Sequence, residues 1–193
     1  MLGPLLRRCG RILAVSGLLT GVAGPDVGAR EMDWQFTGEQ GGVRVRLAPH
    51  SPEQMAAFYE ARGFPKPAIE AIRKACFVTT GVENETDQIL WIELDRWRFY
   101  TPEGPVRRLS RADWAARWQA LGLPRSNRAT FGWTLLPEAR DLWPQEPVGG
   151  NITLVPPKGP FTLEAHFRLG PDKGRGERVV RIEGVRCARE EER

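Results

Sequence analysis

The sequence predicts a mainly β protein: an antiparallel, immunoglobulin-like β-sandwich with helical insertions at about residues 51–75 and 110–121. Short apolar runs with the two-residue period of half-buried strands recur along the chain. Glycines and prolines separate these runs, and few helical patterns lie between successive strands, which favours antiparallel sheets over parallel ones. Two cysteines, Cys76 and Cys187, could tie a middle strand to the last strand.

The first 29 residues have the pattern of a secretory signal peptide. A basic start precedes a short apolar run over residues 12–23, and small residues follow it. We predict cleavage after Ala29, with Ala23 as the alternative site. An uncleaved anchor is the competing interpretation, but the run is shorter than the roughly 20 apolar residues that a spanning helix needs. We therefore expect a single mature domain, residues 30–193, that is periplasmic or secreted and has no membrane span.

The charge balance of the mature chain argues against a nucleic-acid partner. Removal of residues 1–29 takes three of the 28 basic residues and one of the 24 acidic residues, which leaves 25 against 23 and a net charge of +2. Domains that bind nucleic acid concentrate a larger positive charge on one face. We expect this protein to bind none.

The first elements of the mature domain are predicted to be a hairpin followed by helices. Residues 32–36 and 43–47 alternate apolar and polar side chains, and the glycine-rich residues 38–42 between them favour a turn. Ser51 and Gln54 have the spacing of a helix-capping box, so a helix is expected to begin here. A second short helix is expected to complete the first insertion.

A central hairpin is predicted next. Residues 76–82 and 89–94 are rich in β-prone side chains and flank the polar residues 83–88, which suit a turn. We expect the two arms to pair with each other at the centre of the sandwich. Cys76 begins the first arm, and the third cysteine of the chain leaves with the signal peptide. An oxidising compartment therefore favours a disulfide between Cys76 and Cys187.

The second half of the chain is predicted to contain one helix and several strands. Ser110 and Asp113 resemble a capping box, and Trp114 and Trp118 lie on one face of the helix that follows. The runs with strand character in this half are residues 97–101, 131–136, 151–155, 161–169 and 179–187. Strict alternation over nine residues makes 161–169 the clearest strand.

No motif in the sequence predicts a catalytic centre, a metal site or a cofactor. The two histidines of the chain, His50 and His166, are far apart in sequence and match no metal-ligand spacing. Glu83 and Glu93 belong to acidic groups that could supply the carboxylate pair of a hydrolase. A polar turn and a solvated strand face explain these acidic groups more simply.

Tryptophan is the unusual component of the composition. Seven tryptophans follow the signal peptide, and helix or strand periodicity predicts core positions for four of them, Trp91, Trp114, Trp118 and Trp133. Trp143 lies in a proline-rich stretch beside acidic residues, where burial is difficult. Because exposed indoles suit the binding of proteins or sugars, Trp143 and Trp97 are the candidate binding residues.

Export and the lack of a catalytic motif favour a secreted or periplasmic, non-enzymatic binding or accessory domain. Its expected partner is an envelope or extracellular protein, although a fold class alone never fixes a function. One alternative is a carbohydrate-binding module that uses exposed tryptophans. Another is a periplasmic metal-handling protein that uses His50, His166 and methionines.

Overall fold

The computed structural model describes residues 32–188. These residues form ten β-strands, four α-helices and one short 3-10 helix, Leu94–Arg96. The strands are β1 (Phe36–Gln40), β2 (Val43–His50), β3 (Cys76–Asn84), β4 (Leu90–Glu93), β5 (Arg98–Thr101), β6 (Gly104–Pro105), β7 (Ala139–Leu142), β8 (Pro147–Leu154), β9 (Phe161–Leu169) and β10 (Glu177–Val185). The helices are α1 (Pro52–Glu60), α2 (Lys66–Arg73), α3 (Arg111–Ala120) and α4 (Arg125–Thr134). The predicted signal peptide lies outside the described residues.

Two antiparallel sheets form the body of the protein. Sheet A has the order β1-β2-β3-β8. In sheet B, β10 pairs with one side of β9, while β4 and β5 pair with successive parts of its other side. The mainly β, antiparallel prediction is confirmed. An immunoglobulin-like topology is not confirmed, because the first three strands are neighbours in one sheet, whereas an immunoglobulin constant domain changes sheet after its second strand.

The inward-facing residues of the two sheets form one apolar core. On β9, the buried residues are Phe161, Leu163, Ala165, Phe167 and Leu169, and the residues between them are only partly buried. The predicted strand 161–169 is therefore confirmed at both ends. Burial of each large apolar side chain stabilises the fold by about 1.5–3 kcal/mol, so this strand is a major contributor to the core.

Four helices form a second apolar cluster against the outer face of sheet A. The cluster contains Phe77 of β3, Tyr59 of α1, Trp114 of α3 and Phe131 of α4. The indole nitrogen of Trp114 donates a 2.8 Å hydrogen bond to Thr153 Oγ1, so its polar atom is satisfied inside the cluster. Both predicted helical insertions and both capping boxes are confirmed. Within the described residues, no helix is long and apolar enough to cross a membrane.

The predicted central hairpin is wrong. β3 pairs with β2 and β8 in sheet A, whereas β4 pairs with β7 and β9 in sheet B. The buried amide of Asn84 redirects the chain: its Nδ2 donates to the carbonyl oxygens of Gln88 and Leu142, at 2.8 and 3.0 Å, and its Oδ1 accepts from the backbone N–H of Thr86. The polar residues 85–89 therefore carry the chain from one sheet to the other.

The strand predicted at residues 131–136 is also wrong, because most of this run belongs to α4. Phe131 is buried, and its ring centroid lies 4.7 Å from that of Trp114 and 5.4 Å from that of Tyr59. Packing of this ring between α1 and α3 overrides the strand preference of the local sequence. Only Leu135 and Leu136 run beside a strand, and the N–H of Leu136 donates to the carbonyl of Asn151.

The first strand begins later than predicted. It covers Phe36–Gln40 rather than residues 32–36, and the turn is confined to Gly41 and Gly42, whose φ angles of 55° and 78° favour glycine. Gly38 lies inside the strand instead of the turn. An added Cβ at Gly38 would lie 2.7 Å from a side chain of β10, so glycine permits the close approach of β1 to β10.

The loops of the sandwich collect at two ends. The disulfide end contains the Cys76–Cys187 bridge, whose Cα atoms are 5.6 Å apart, together with the β5–β6 hairpin and the β8–β9 loop. The hairpin end contains the β1–β2, β7–β8 and β9–β10 turns and the β3–β4 crossover. The predicted disulfide is confirmed.

Candidate functional site

The candidate site is a groove of about 1120 Å³ at the disulfide end, called here the end groove. Three segments that are distant in sequence line it: residues 100–107 around the β5–β6 hairpin, residues 155–162 from the β8–β9 loop into β9, and the end of β10 near Gly184. This volume exceeds the 300–1,000 Å³ that is typical of small-molecule sites. The groove can therefore accommodate a larger ligand, such as a peptide segment.

The walls of the end groove are rich in proline. Five prolines line it, namely Pro102, Pro105, Pro156, Pro157 and Pro160. Proline fixes its own φ angle and has no backbone N–H, so these loops lose little conformational entropy when a ligand binds. Val155 adds an aliphatic side chain that is 43% exposed, which is high for valine.

Backbone hydrogen bonds hold the segment after β6 between the two sheets. The N–H of Val106 donates to the carbonyl of Phe99 in sheet B at 2.7 Å. The carbonyl of Arg107 accepts from the N–H of Val155, and the N–H of Leu109 donates to a carbonyl of β8. Both sheets therefore anchor this groove wall, which gives it the preorganisation that favours binding.

The polar groups beside the groove are organised around Glu164. Tyr100 donates its hydroxyl proton to Glu164 Oε1 at 2.7 Å, and Arg181 donates to the same oxygen at 3.0 Å. The hydrogen bond to Glu164 raises the pKa of Tyr100, so the phenol stays protonated at neutral pH. Arg181 also pairs with Glu183. These groups can orient the polar parts of a ligand through hydrogen bonds and ion pairs.

The two tryptophans chosen from the sequence occupy very different environments. Trp97 is 5% exposed and packs edge-to-face on Phe167, so it lies in the core between the sheets. Trp143 is 60% exposed in the β7–β8 turn at the hairpin end. Its backbone N–H donates to Glu146 Oε2 at 3.0 Å, and its carbonyl accepts from the Glu146 N–H. The turn thus presents the Trp143 indole from a fixed backbone.

Sequence reasoning missed Trp133, which is 90% exposed on α4. The run 131–136 alternates as a strand would, and that period places Trp133 on the buried side together with Phe131. The helical period places the two residues on opposite sides instead, because they are separated by 200° around the helix axis. Pro124, which caps α4, was the available signal for a helix start.

The histidines lie on the outer faces of opposite sheets and cannot form one metal site. His166 Nδ1 lies 3.1 Å from Glu177 Oε1 on sheet B. His50 Nε2 lies 2.7 Å from Thr79 Oγ1 on sheet A. Among residues 32–188, no group of three or more His, Cys, Asp or Glu residues has the geometry to hold a metal ion.

The His50–Thr79 pair resembles a base beside a nucleophile, but its hydrogen bonds run the wrong way. Thr79 donates its single hydroxyl proton to Asn151 Oδ1 at 2.8 Å. The imidazole must therefore donate its Nε2 proton to Thr79 Oγ1 rather than accept the hydroxyl proton. Burial lowers the pKa of His50, which keeps the ring neutral in this role. The arrangement links β2, β3 and β8 and does not activate the hydroxyl.

The acidic residues considered for hydrolysis are held in ion pairs on different sheets. Glu83 pairs with Arg44 and Arg46 on sheet A. Glu93 of sheet B lies 2.6 Å from Arg168 Nη2 and 2.7 Å from Lys173 Nζ. The hydrogen bond from Lys173 lowers the pKa of Glu93, so this carboxylate is ionised and cannot act as a proton donor near neutral pH.

Comparisons with protein-family models, with curated proteins and with solved structures found no match to this chain.

Proposed function

We propose that the protein is an exported, non-enzymatic binding domain whose partner is an envelope or extracellular protein, bound as a peptide segment in the end groove. The groove itself is the observation that carries the proposal. Its volume suits a peptide better than a small molecule, and its proline-rich walls are already rigid. Tyr100, Arg181 and the neighbouring carboxylates would recognise the polar groups of the bound segment.

The proposed location rests on two observations. The Cys76–Cys187 disulfide fits an oxidising compartment, because cytosolic thiols are kept reduced. The N-terminal sequence has the basic and apolar regions of a signal peptide. We retain a periplasmic or secreted location as part of the proposal. The immunoglobulin-like description is retained only for the architecture, in which two packed antiparallel sheets present loops at both ends.

Site-specific photocrosslinking tests the proposed function. A photoreactive amino acid at Val155, which lines the groove, should capture a defined partner in cells. The same amino acid at Asp87, an exposed residue of the hairpin end, serves as the matched control. The Gly159→Arg variant, at a lining residue with open space around an added Cβ, should obstruct the groove and abolish capture from position 155. Equal capture from both positions, or capture that survives the obstruction, would refute the proposal.

A carbohydrate-binding function is the second candidate, and the Trp143 turn is the observation that favours it. An exposed indole on a fixed backbone can stack on a sugar ring. Titration with cell-wall or plant oligosaccharides should then shift the tryptophan fluorescence. The Trp143→Ala variant should abolish this shift, whereas Trp133→Ala should not. A shift that is the same in wild type and Trp143→Ala would exclude this function for the turn.

A further inference from the structure

One face of α4 is unlike the rest of the described surface. Trp133 is 90% exposed, and within residues 32–188 its ring makes no aromatic or cation–π contact. Arg125 and Ala129 precede it at intervals of four residues, so the three lie on one side of the helix, within about 80° of arc. Ser126 lies beside Trp133, and Arg128 lies at the opposite edge of this face, about 140° from Trp133 around the helix axis; both are exposed. These five residues, Arg125, Ser126, Arg128, Ala129 and Trp133, are called here the α4 face.

The helical segment that contains this face concentrates positive charge. Residues 105–138 include six arginines and two acidic residues, Asp113 and Glu138, a net charge of +4. The predicted mature chain as a whole carries only +2, so the rest of the domain carries −2. Asp113 is engaged by Arg107, and Glu138 is engaged by Arg108. The charge asymmetry therefore favours a negatively charged partner on this side of the molecule.

Among residues 32–188, no carboxylate forms an ion pair with either arginine of the α4 face, Arg125 or Arg128. Both occupy the first turns of a helix that has no acidic residue in its first turn, where positive charge is unfavourable next to the helix dipole. An anionic surface in contact with the face would relieve this repulsion.

The size of the α4 face argues against a protein partner as its occupant. A ten-residue helix is about 15 Å long and about 10–12 Å wide, so the five exposed side chains of one face fall short of a full protein interface. A stable protein interface needs about 800 Å² from each partner. A bilayer needs no complementary pocket, because a single tryptophan enters the interfacial layer while arginines meet the anionic headgroups.

We propose that the α4 face binds the surface of an anionic phospholipid bilayer, with Trp133 in the interfacial layer and Arg125 and Arg128 against the phosphates. The contact is peripheral and reversible. It holds the domain beside a membrane and leaves the end groove and the Trp143 turn free.

Vesicle partitioning tests this proposal. The protein is purified after export, so that its N-terminus is processed as in the cell, and is mixed with vesicles of phosphatidylglycerol and phosphatidylcholine or of phosphatidylcholine alone. Each basic residue near an anionic surface raises affinity roughly fivefold. The Arg125→Gln/Arg128→Gln variant should therefore bind anionic vesicles about 25-fold more weakly, and high salt should weaken the wild type. Trp133→Ala should bind at least tenfold more weakly and should lose part of the quenching by brominated lipid.

Trp143→Ala carries the same N-terminus and removes an exposed indole from the hairpin end, so its partitioning should equal that of the wild type. Because Trp133 is exposed, its alanine variant should keep the wild-type melting temperature, which separates lost binding from lost folding. Equal partitioning of Trp133→Ala and wild type, or equal wild-type binding to both vesicle types, overturns the proposal. A soluble acidic protein that requires Trp133 while vesicles do not would overturn it as well.

Discussion

Removal of the disulfide should cost a large part of the stability of this domain. The bridge joins residues that are 111 positions apart, and the closed loop contains all of sheet B and two of the four strands of sheet A. In the chain-entropy relation, a loop of this length corresponds to about 16 cal/mol/K of unfolded-state entropy, or about 5 kcal/mol at room temperature. Domains of ordinary size are stable by about 5–15 kcal/mol, so the loss should be easily measurable.

The preferred variant is Cys187→Ala. Cys76 is buried, and a free thiol behaves there as a small apolar group, so leaving it in place avoids a polar substitution in the core. Urea unfolding followed by tryptophan fluorescence should show a free energy of unfolding that is lower by about 3–5 kcal/mol, since measured effects often fall below the entropic value. Reduction of the wild type with dithiothreitol serves as the matched control and should reproduce the variant.

Two results would refute the reasoning. The first is a loss of less than about 1 kcal/mol, which is below the usual range for a native disulfide. The second is the detection of two free thiols per molecule when the exported wild-type protein is denatured and titrated with a thiol reagent. The second result would also remove the main structural support for an oxidising compartment.

Three further predictions concern a close backbone approach, a buried hydrogen bond and a titrating histidine. Gly150→Ala should destabilise the fold by about 1–3 kcal/mol, because its Cβ would lie 2.5 Å from a backbone nitrogen, whereas Gly149→Ala, with its nearest neighbour at 3.8 Å, should change urea stability much less. Thr153→Val should cost about 1–3 kcal/mol by leaving the buried Trp114 indole N–H unpaired, and thermal unfolding will show whether it does. Burial lowers the pKa of His50 in the folded state, so the unfolded state gains a proton first as the pH falls below about 6.5. Stability should decline there, and His50→Gln should flatten that part of the pH profile of urea unfolding.

Local signals predicted the elements whose determinants lie within a few residues. Ser51 with Gln54, and Ser110 with Asp113, form the predicted capping boxes because each box closes through hydrogen bonds over three residues. β9 could be predicted because one of its faces meets the core and the other does not. Both hydrogen-bonding partners of each capping box lie within four consecutive residues, and the alternating burial pattern of β9 lies within nine consecutive residues.

The errors concern interactions between distant residues. The arms of the supposed hairpin have strand character, but they belong to different sheets, and the Asn84 side chain at the end of the first arm donates a hydrogen bond to the distant carbonyl of Leu142. Residues 131–136 alternate like a strand, and only the packing of Phe131 against α1 and α3 makes most of them helical. Trp97, which was predicted to be exposed, is buried, and Trp133, which was predicted to be buried, is exposed. In both cases the packing of distant elements decides the burial of the side chain. The end groove could not be predicted, because three distant segments form it.

The three candidate binding surfaces share no residue, and this separation makes the hypotheses independent. The end groove belongs to the disulfide end, the Trp143 turn to the hairpin end, and the α4 face to the helical layer outside sheet A. Each surface rests on rigid elements, so a substitution of an exposed residue at one should leave the other two intact. If Trp133→Ala weakens both vesicle binding and partner capture from position 155, the membrane contact must bring the groove to its partner. If it weakens only vesicle binding, the two contacts act separately.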